Sequence, residues 1–171
     1  ESINFYEKVM IDSIIFFKNQ IIALYKLFHE KMMKQKFTEL KVDTSGQKLV
    51  DISNRIDTFV KDSKIINGII NLSILHTSAS LIIQENASKD VLIDLENFFN
   101  NLVPMNENLY LHTLEGKDDM PAHIKTVLTN TNLSLSVIEK TLRMGKWQGI
   151  YLFEHRIQRH LRSVFCHIIG E

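Results

Sequence analysis

Apolar residues change their spacing several times along this chain, and each change marks an element. Met10, Ile14, Phe17, Ile21, Leu24 and Phe28 recur at steps of three and four, which predicts an amphipathic helix before Met33. After Lys36 the texture switches. "KFTELKV" alternates as a strand, and "LVDISNRIDTFVKD" reads as a short helix ahead of the Asn67-Gly68 turn signal. "IINLSILHTSASLIIQE" is a long β-rich run with a bend at Thr77–Ser80. From Ser88, the positions Val91, Leu92, Leu95, Phe98, Phe99 and Leu102 form one helix face that stops before Pro104. "LYLHTL" predicts a short strand, and a helix begins at about Pro121. "LSLSVI", "KWQGIYLFEH" and "RSVFCHII" close the chain as strands. Strands and helices follow one another without a βαβ rhythm. The fold class is therefore α+β: one compact domain with a mainly antiparallel sheet or sandwich packed by helices, preceded by the amphipathic helix. The boundary falls near Met33, giving a helical extension over 1–35 and a domain over 36–171.

Composition narrows the function. Of 171 residues, 44% are apolar, enough for one sizeable core. Lys+Arg and Asp+Glu number 20 each, which argues against a general nucleic-acid binder. Charge is local, however: from Lys140 onward, six basic residues face two acidic ones, a balance open to an anionic ligand or to an ordinary solvated face. The N-terminal segment is interrupted by Asp12, Lys18, Asn19 and Gln20, so no membrane span is expected. That helix must cover its own domain, a partner subunit or a membrane surface. Cys166, the one cysteine, sits in an apolar run, where a buried inert thiol and a reducing, cytoplasmic setting are expected.

The histidines carry the candidate chemistry. His76 shares a strand face with Ile70, Leu72 and Ile74, and His112 shares one with Tyr110 and Leu114, so both are expected inward and neutral. His123 lies in the first turn of the Pro121 helix, where Asp118 or Asp119 can cap and the helix dipole disfavours an imidazolium. Three neutral imidazoles suit a zinc-type divalent metal with an open position, although a hydrogen-bonded core histidine is the alternative for each, and the spacings of 36 and 11 positions are not diagnostic. His29 reads as a surface group and His167 as core beside Phe165 and Ile169. His155 and His160 flank Arg156 and Arg159 in a loop suited to phosphate or carboxylate recognition. Glu85, with Asn86 behind it, and Glu115 offer carboxylates for a metal's histidine or for general base work, or are plain loop acids. No glycine loop of the phosphate-cradling kind is present.

Four segments together resemble one family. "LHTSASLIIQENAS", "DLENFFNNLVP", "EGKDDMPAHIK" and "GKWQGIYLFEHR" are similar, in order and from about Phe37 to Glu171, to segments of the YjbQ-like family, whose members are described as secondary thiamine-phosphate synthases. The resemblance implies a homotrimer with a histidine-lined pocket for a metal or an anion. It also implies weak thiamine-phosphate synthase activity on small phosphorylated metabolites, joining a pyrimidine diphosphate to a thiazole phosphate. Carried over by position, it places His76, His112 and His123 as metal ligands. Glu85, Glu115, His123 and Arg156 become catalytic groups, and Asn86, Asp118, Asp119, Trp147, Gln148 and His155 become binding groups, with Glu154 beside them. Three departures stand out: Lys146 where the family has threonine, "VIEKTL" where it has a glycine-containing turn, and the segment up to Lys31, which has no counterpart. A non-catalytic metal- or phosphate-ligand-binding protein, or an interaction role for the N-terminal helix, are the competing functions.

Overall fold

The computed structural model describes residues 4–30 and 32–171. The helix α1 (Phe5–Glu30) is one compact unit, and residues 35–170 form a second. Among the described residues, twelve elements follow α1. The strands are β1 (Lys34–Ser45), β2 (Lys48–Asp51), β3 (Gly68–Ile74), β4 (Ala79–Glu85), β5 (Asn132–Ile138), β6 (Thr141–Leu142), β7 (Gln148–Glu154) and β8 (Arg159–Gly170). The remaining helices are α2 (Ser53–Ser63), α3 (Lys89–Leu102) and α4 (Asp119–Leu128), with one short 3-10 turn at Glu107–Leu109. Every pairing with a described register is antiparallel.

The strands form two sheets, ordered β1-β8-β3-β5-β6 and β2-β7-β4. Their facing sides make the main core, where Ile70, Leu72, Val164, Cys166 and Ile168 meet Leu81, Ile150 and Leu152, with Ile56 and Val60 of α2 alongside. β7 is buried on both faces, which is why it reads as a continuous apolar run. Its even positions enter the main core, while Tyr151 and Phe153 turn to a second cluster beneath Leu92, Leu95 and Phe99 of α3. Burial pushes the Cys166 thiol up to about 12, so it is inert as expected.

Local chemistry explains the boundaries. Ser88 caps α3 by accepting from the Asp90 amide. Glu139 (φ 52°) and Lys140 (φ 61°) are both left-handed and join β5 to β6, which is the two-residue hairpin geometry that glycine normally eases. The departure at "VIEKTL" therefore keeps a tight turn at the cost of backbone strain. Gly68 and Gly170 face each other across β3 and β8. A Cβ on either would lie 2.2 or 2.1 Å from a backbone oxygen, so no side chain fits.

Several sequence expectations shift. "LVDISNRIDTFVKD" divides into β2 and then α2. The predicted strand "LYLHTL" is absent. A 3-10 turn and irregular chain occupy it, and Leu111 and Leu114 stand fully exposed, so the alternation there does not mark a buried face. β3 ends at Ile74, before the periodicity reaches His76. His167 lies with Phe165 and Ile169 on the outer face of β8, because Val164, Cys166 and Ile168 take the core face. The side chain of His29 lies outside the described residues. Among the described residues, no helix is long and apolar enough to cross a membrane.

Candidate functional site

The site is built where α4 meets the loop after β7. Gly116 (φ 105°) turns the chain so that Gly116 O accepts from the Asp119 amide and α4 begins. Asp118 occupies the cap position but makes no side-chain cap bond. Its Oδ2 instead accepts from Arg156 Nε at 3.0 Å and from the Ile157 amide at 2.8 Å. Burial alone would raise the Asp118 carboxyl, but these bonds outweigh it and hold the group below its ordinary value. Arg156 also pairs through Nη1 with Asp119 Oδ1 and donates from Nη2 to Glu115 O at 2.8 Å. One guanidinium thus fixes both acids and the loop before them.

This leaves Asp119 Oδ2 pointing at two imidazoles. His112 Nε2 lies 2.6 Å away and His123 Nε2 lies 3.4 Å away, and the two ring centroids are 5.6 Å apart. His123 Nδ1 is 2.9 Å from Thr77 O, an oxygen that can only accept, so Nδ1 carries a hydrogen. In a neutral His123 the Nε2 lone pair then faces the lone pairs of Asp119. Two acceptors at 3.4 Å repel each other unless a proton or a metal ion lies between them. Among the described residues, His112, Asp119 and His123 are brought together with one ligand atom each, all within 4.8 Å of one another. Two imidazole nitrogens and a carboxylate oxygen are a zinc-type donor set with room for a further ligand. The residues fit the divalent metal expected from the sequence. His123 sits one residue past the first turn, since α4 starts at Asp119.

His76 is not in this group. Its Nε2 accepts from the Ser163 amide at 2.8 Å, and burial, then the nearby Arg162 charge, lower its pKa. It is a neutral, hydrogen-bonded histidine set beside the cluster. His155 also differs from the sequence reading. It is buried, its ring packs 4.4 Å from Phe153, and its Nε2 lies 2.9 Å from Ser80 Oγ. Burial and then the Lys125 charge push it down to about 3, so its ring is neutral and packed inside rather than set in an open loop. His160 Nδ1 bonds Gln158 O, and Arg159 pairs with Asp43 at the surface.

Glu85, Asn86, Trp147 and Gln148 lie elsewhere. β4 runs from Ala79, two residues after the carbonyl that holds His123, to Glu85 at its other end, about 20 Å along the strand. β7 runs oppositely, with Gln148 paired to Glu85 and Glu154 paired to Ala79. Asn86 donates to Gln148 O at 3.2 Å, and Gln148 Oε1 accepts from the Gly145 amide. Lys146 Nζ sits 4.7 Å from the exposed Trp147 ring, so the cation replacing threonine stacks on the tryptophan. Within one chain the polar motif groups occupy two separate ends of the three-stranded sheet.

Two supports were missed by sequence reasoning. Arg162 donates from Nε and Nη2 to Glu154 at 2.7 and 2.6 Å, and Thr44 Oγ1 and the Arg156 amide also bond that carboxylate. Burial would raise Glu154, but the Arg162 bonds and then the others hold it below its ordinary value. The pair anchors the turn that carries Arg156. The signal was a charged residue on the same strand face as Val164, Cys166 and Ile168. Lys125 is buried in α4 with Nζ 2.6 Å from Asn100 Oδ1, and burial lowers its pKa.

Comparison with known proteins finds relatives over most of the chain. The family model described as UPF0047 protein YjbQ-like matches residues 38–171. A UPF0047 protein of Synechocystis is 45% identical over 132 residues, covering 77% of this chain and 90% of its own length. The UPF0047 protein YjbQ of Escherichia coli O157:H7 is 40% identical over 141 residues, 82% of this chain and all of its own. Among solved structures, a YbjQ-like protein of unknown function from Sulfolobus solfataricus superimposes with a TM-score of 0.73 at 26% identity, over 82% of this chain and 100% of its own. A YjbQ/UPF0047 protein from Clostridium acetobutylicum gives 0.71 at 30% identity, over 77% and 98%.

Proposed function

From the premise that the chain belongs to the YjbQ-like UPF0047 family, we propose that it is a small-metabolite enzyme whose centre is His112, Asp119 and His123. One observation carries the reading: two acceptor atoms, His123 Nε2 and Asp119 Oδ2, face each other at 3.4 Å with the tautomer fixed by Thr77 O. His112, Asp119 and His123 would hold a divalent, zinc-type ion. Such an ion supplies Lewis-acid neutralisation of an anionic group such as a diphosphate. Arg156 is the positioning residue, since its donors are engaged by Asp118, Asp119 and Glu115 O. The substrate class is a small phosphorylated metabolite, and transfer with release of pyrophosphate, as in thiamine-phosphate synthesis, fits that class. The exposed Leu111 and Leu114 beside the cluster favour cover by a neighbouring subunit, consistent with a homotrimer.

Elemental analysis of the full chain beside His123→Ala and Asp119→Asn tests the centre. Stoichiometric metal lost in both variants is the expected result, and metal-free wild type, or equal metal in all three, overturns it. Rescue of a thiamine auxotroph at native expression tests the reaction. No rescue with an intact metal centre leaves the binding protein as the reading.

A further inference from the structure

The family model begins at residue 38, and α1 lies before it. α1 is unbroken over 26 residues, about 39 Å of helix. Met10, Ile14, Phe17, Ile21, Leu24 and Phe28 recur along it at steps of 4, 3, 4, 3 and 4. This is the 3.5-residue repeat of a coiled-coil seam, with Ile14, Ile21 and Phe28 at a and Met10, Phe17 and Leu24 at d. Between Met10 and Phe28 the f positions on the opposite side are Asp12, Asn19 and Lys26, all polar, while Ile15, Phe16 and Ile22 at b and c widen the apolar surface. Each seam residue is between 57% and 69% exposed.

We propose that α1 is a self-association element whose seam packs against the same helix of other copies of this chain. The spacing selects that occupant. A straight helix drifts about 20° per heptad from a strict seven-residue repeat, so a repeat that keeps its register serves a partner helix with the same repeat. A membrane surface accepts any broad apolar stripe and has no register to hold. Buried together, the two phenylalanines and four aliphatic side chains would remove roughly 600 Å² per helix from water. That approaches the ~800 Å² per partner of a standard stable interface. No charged residue enters the seam between Met10 and Phe28, and Glu7, one heptad before Ile14, marks its N-terminal limit.

Disulfide trapping in the full chain tests this independently of any association by residues 35–170. Cys166 is buried and inert, so an introduced thiol reports alone. Phe17→Cys and Ile21→Cys chains are oxidised separately and as a mixture, which covers parallel and antiparallel pairing, with Asn19→Cys at f as the control. At least about tenfold more covalent dimer in a seam sample than in the control is expected. No dimer in any seam sample, or an equal yield from Asn19→Cys, overturns the proposal. Absent crosslinks together with binding to phosphatidylserine-containing vesicles, lost in Ile14→Lys/Ile21→Lys, would identify a membrane surface as the occupant instead.

Discussion

Arg162 of β8 and Glu154 of β7 form two parallel hydrogen bonds, 2.7 and 2.6 Å long, inside the protein. Removing one partner strands the other as a buried charge. Arg162→Met is expected to cost about 3–5 kcal/mol by urea unfolding. Glu154→Gln with Arg162→Met should recover part of that loss, because no unpaired ion remains. Glu154 titrates below its ordinary value when folded, so its contribution is present above pH 4.5 and fades as pH falls through the folded value. Arg162→Met should flatten that acid limb.

His155 acts over a different pH range. Its unfolded value is 6.5 and its folded value about 3, so the unfolded chain binds a proton first as pH drops. Stability is therefore lost from pH 6.5 downward, with a slope of up to about 1.4 kcal/mol per pH unit. His155→Gln, which keeps a partner for Ser80, should remove that slope between pH 6.5 and 5. An unchanged profile would place the titration on another group.

Arg156→Lys keeps the charge but loses the fork that grips Asp118 and Asp119. If the proposed centre holds metal, affinity measured by chelator competition should fall roughly 10–100-fold while the fold is retained.

The β5–β6 hairpin offers a gain. Lys140→Gly removes a left-handed side chain and is expected to stabilise by about 1 kcal/mol, read as a rise of a few degrees in Tm. Gly170→Ala should do the reverse, costing about 2–3 kcal/mol, because its Cβ would meet Asn67 O.

What the sequence made legible followed burial. β7 and β8 announce themselves because their apolar periods report a real core, and α3 because Leu92 and Leu95 face one. The strand expected at "LYLHTL" failed for the same reason: Leu111 and Leu114 alternate without being covered within the chain. At the site, the resemblance pointed to His76, His112 and His123 as ligands and to Asp119 as a binding group; the fold instead joins Asp119 to His112 and His123, through a tautomer set by a backbone carbonyl that no residue pattern encodes. His76 and His155 were read from neighbours in sequence, yet their partners, Ser163 and Ser80, are 87 and 75 positions away.

The two polar ends of β4 and β7 have a thermodynamic consequence. Between them lie strand pairs from Leu81–Leu152 to Ile83–Ile150, a mainly apolar span whose one polar side chain, Tyr151, donates to Glu85 O at the Gln148 end. Substitutions at Gln148 and at His123 in one isolated chain should therefore be additive within about 0.5 kcal/mol in a double-mutant cycle. A larger coupling energy would have to arrive from outside the chain, making that cycle a sensor of neighbouring copies as well as of the fold.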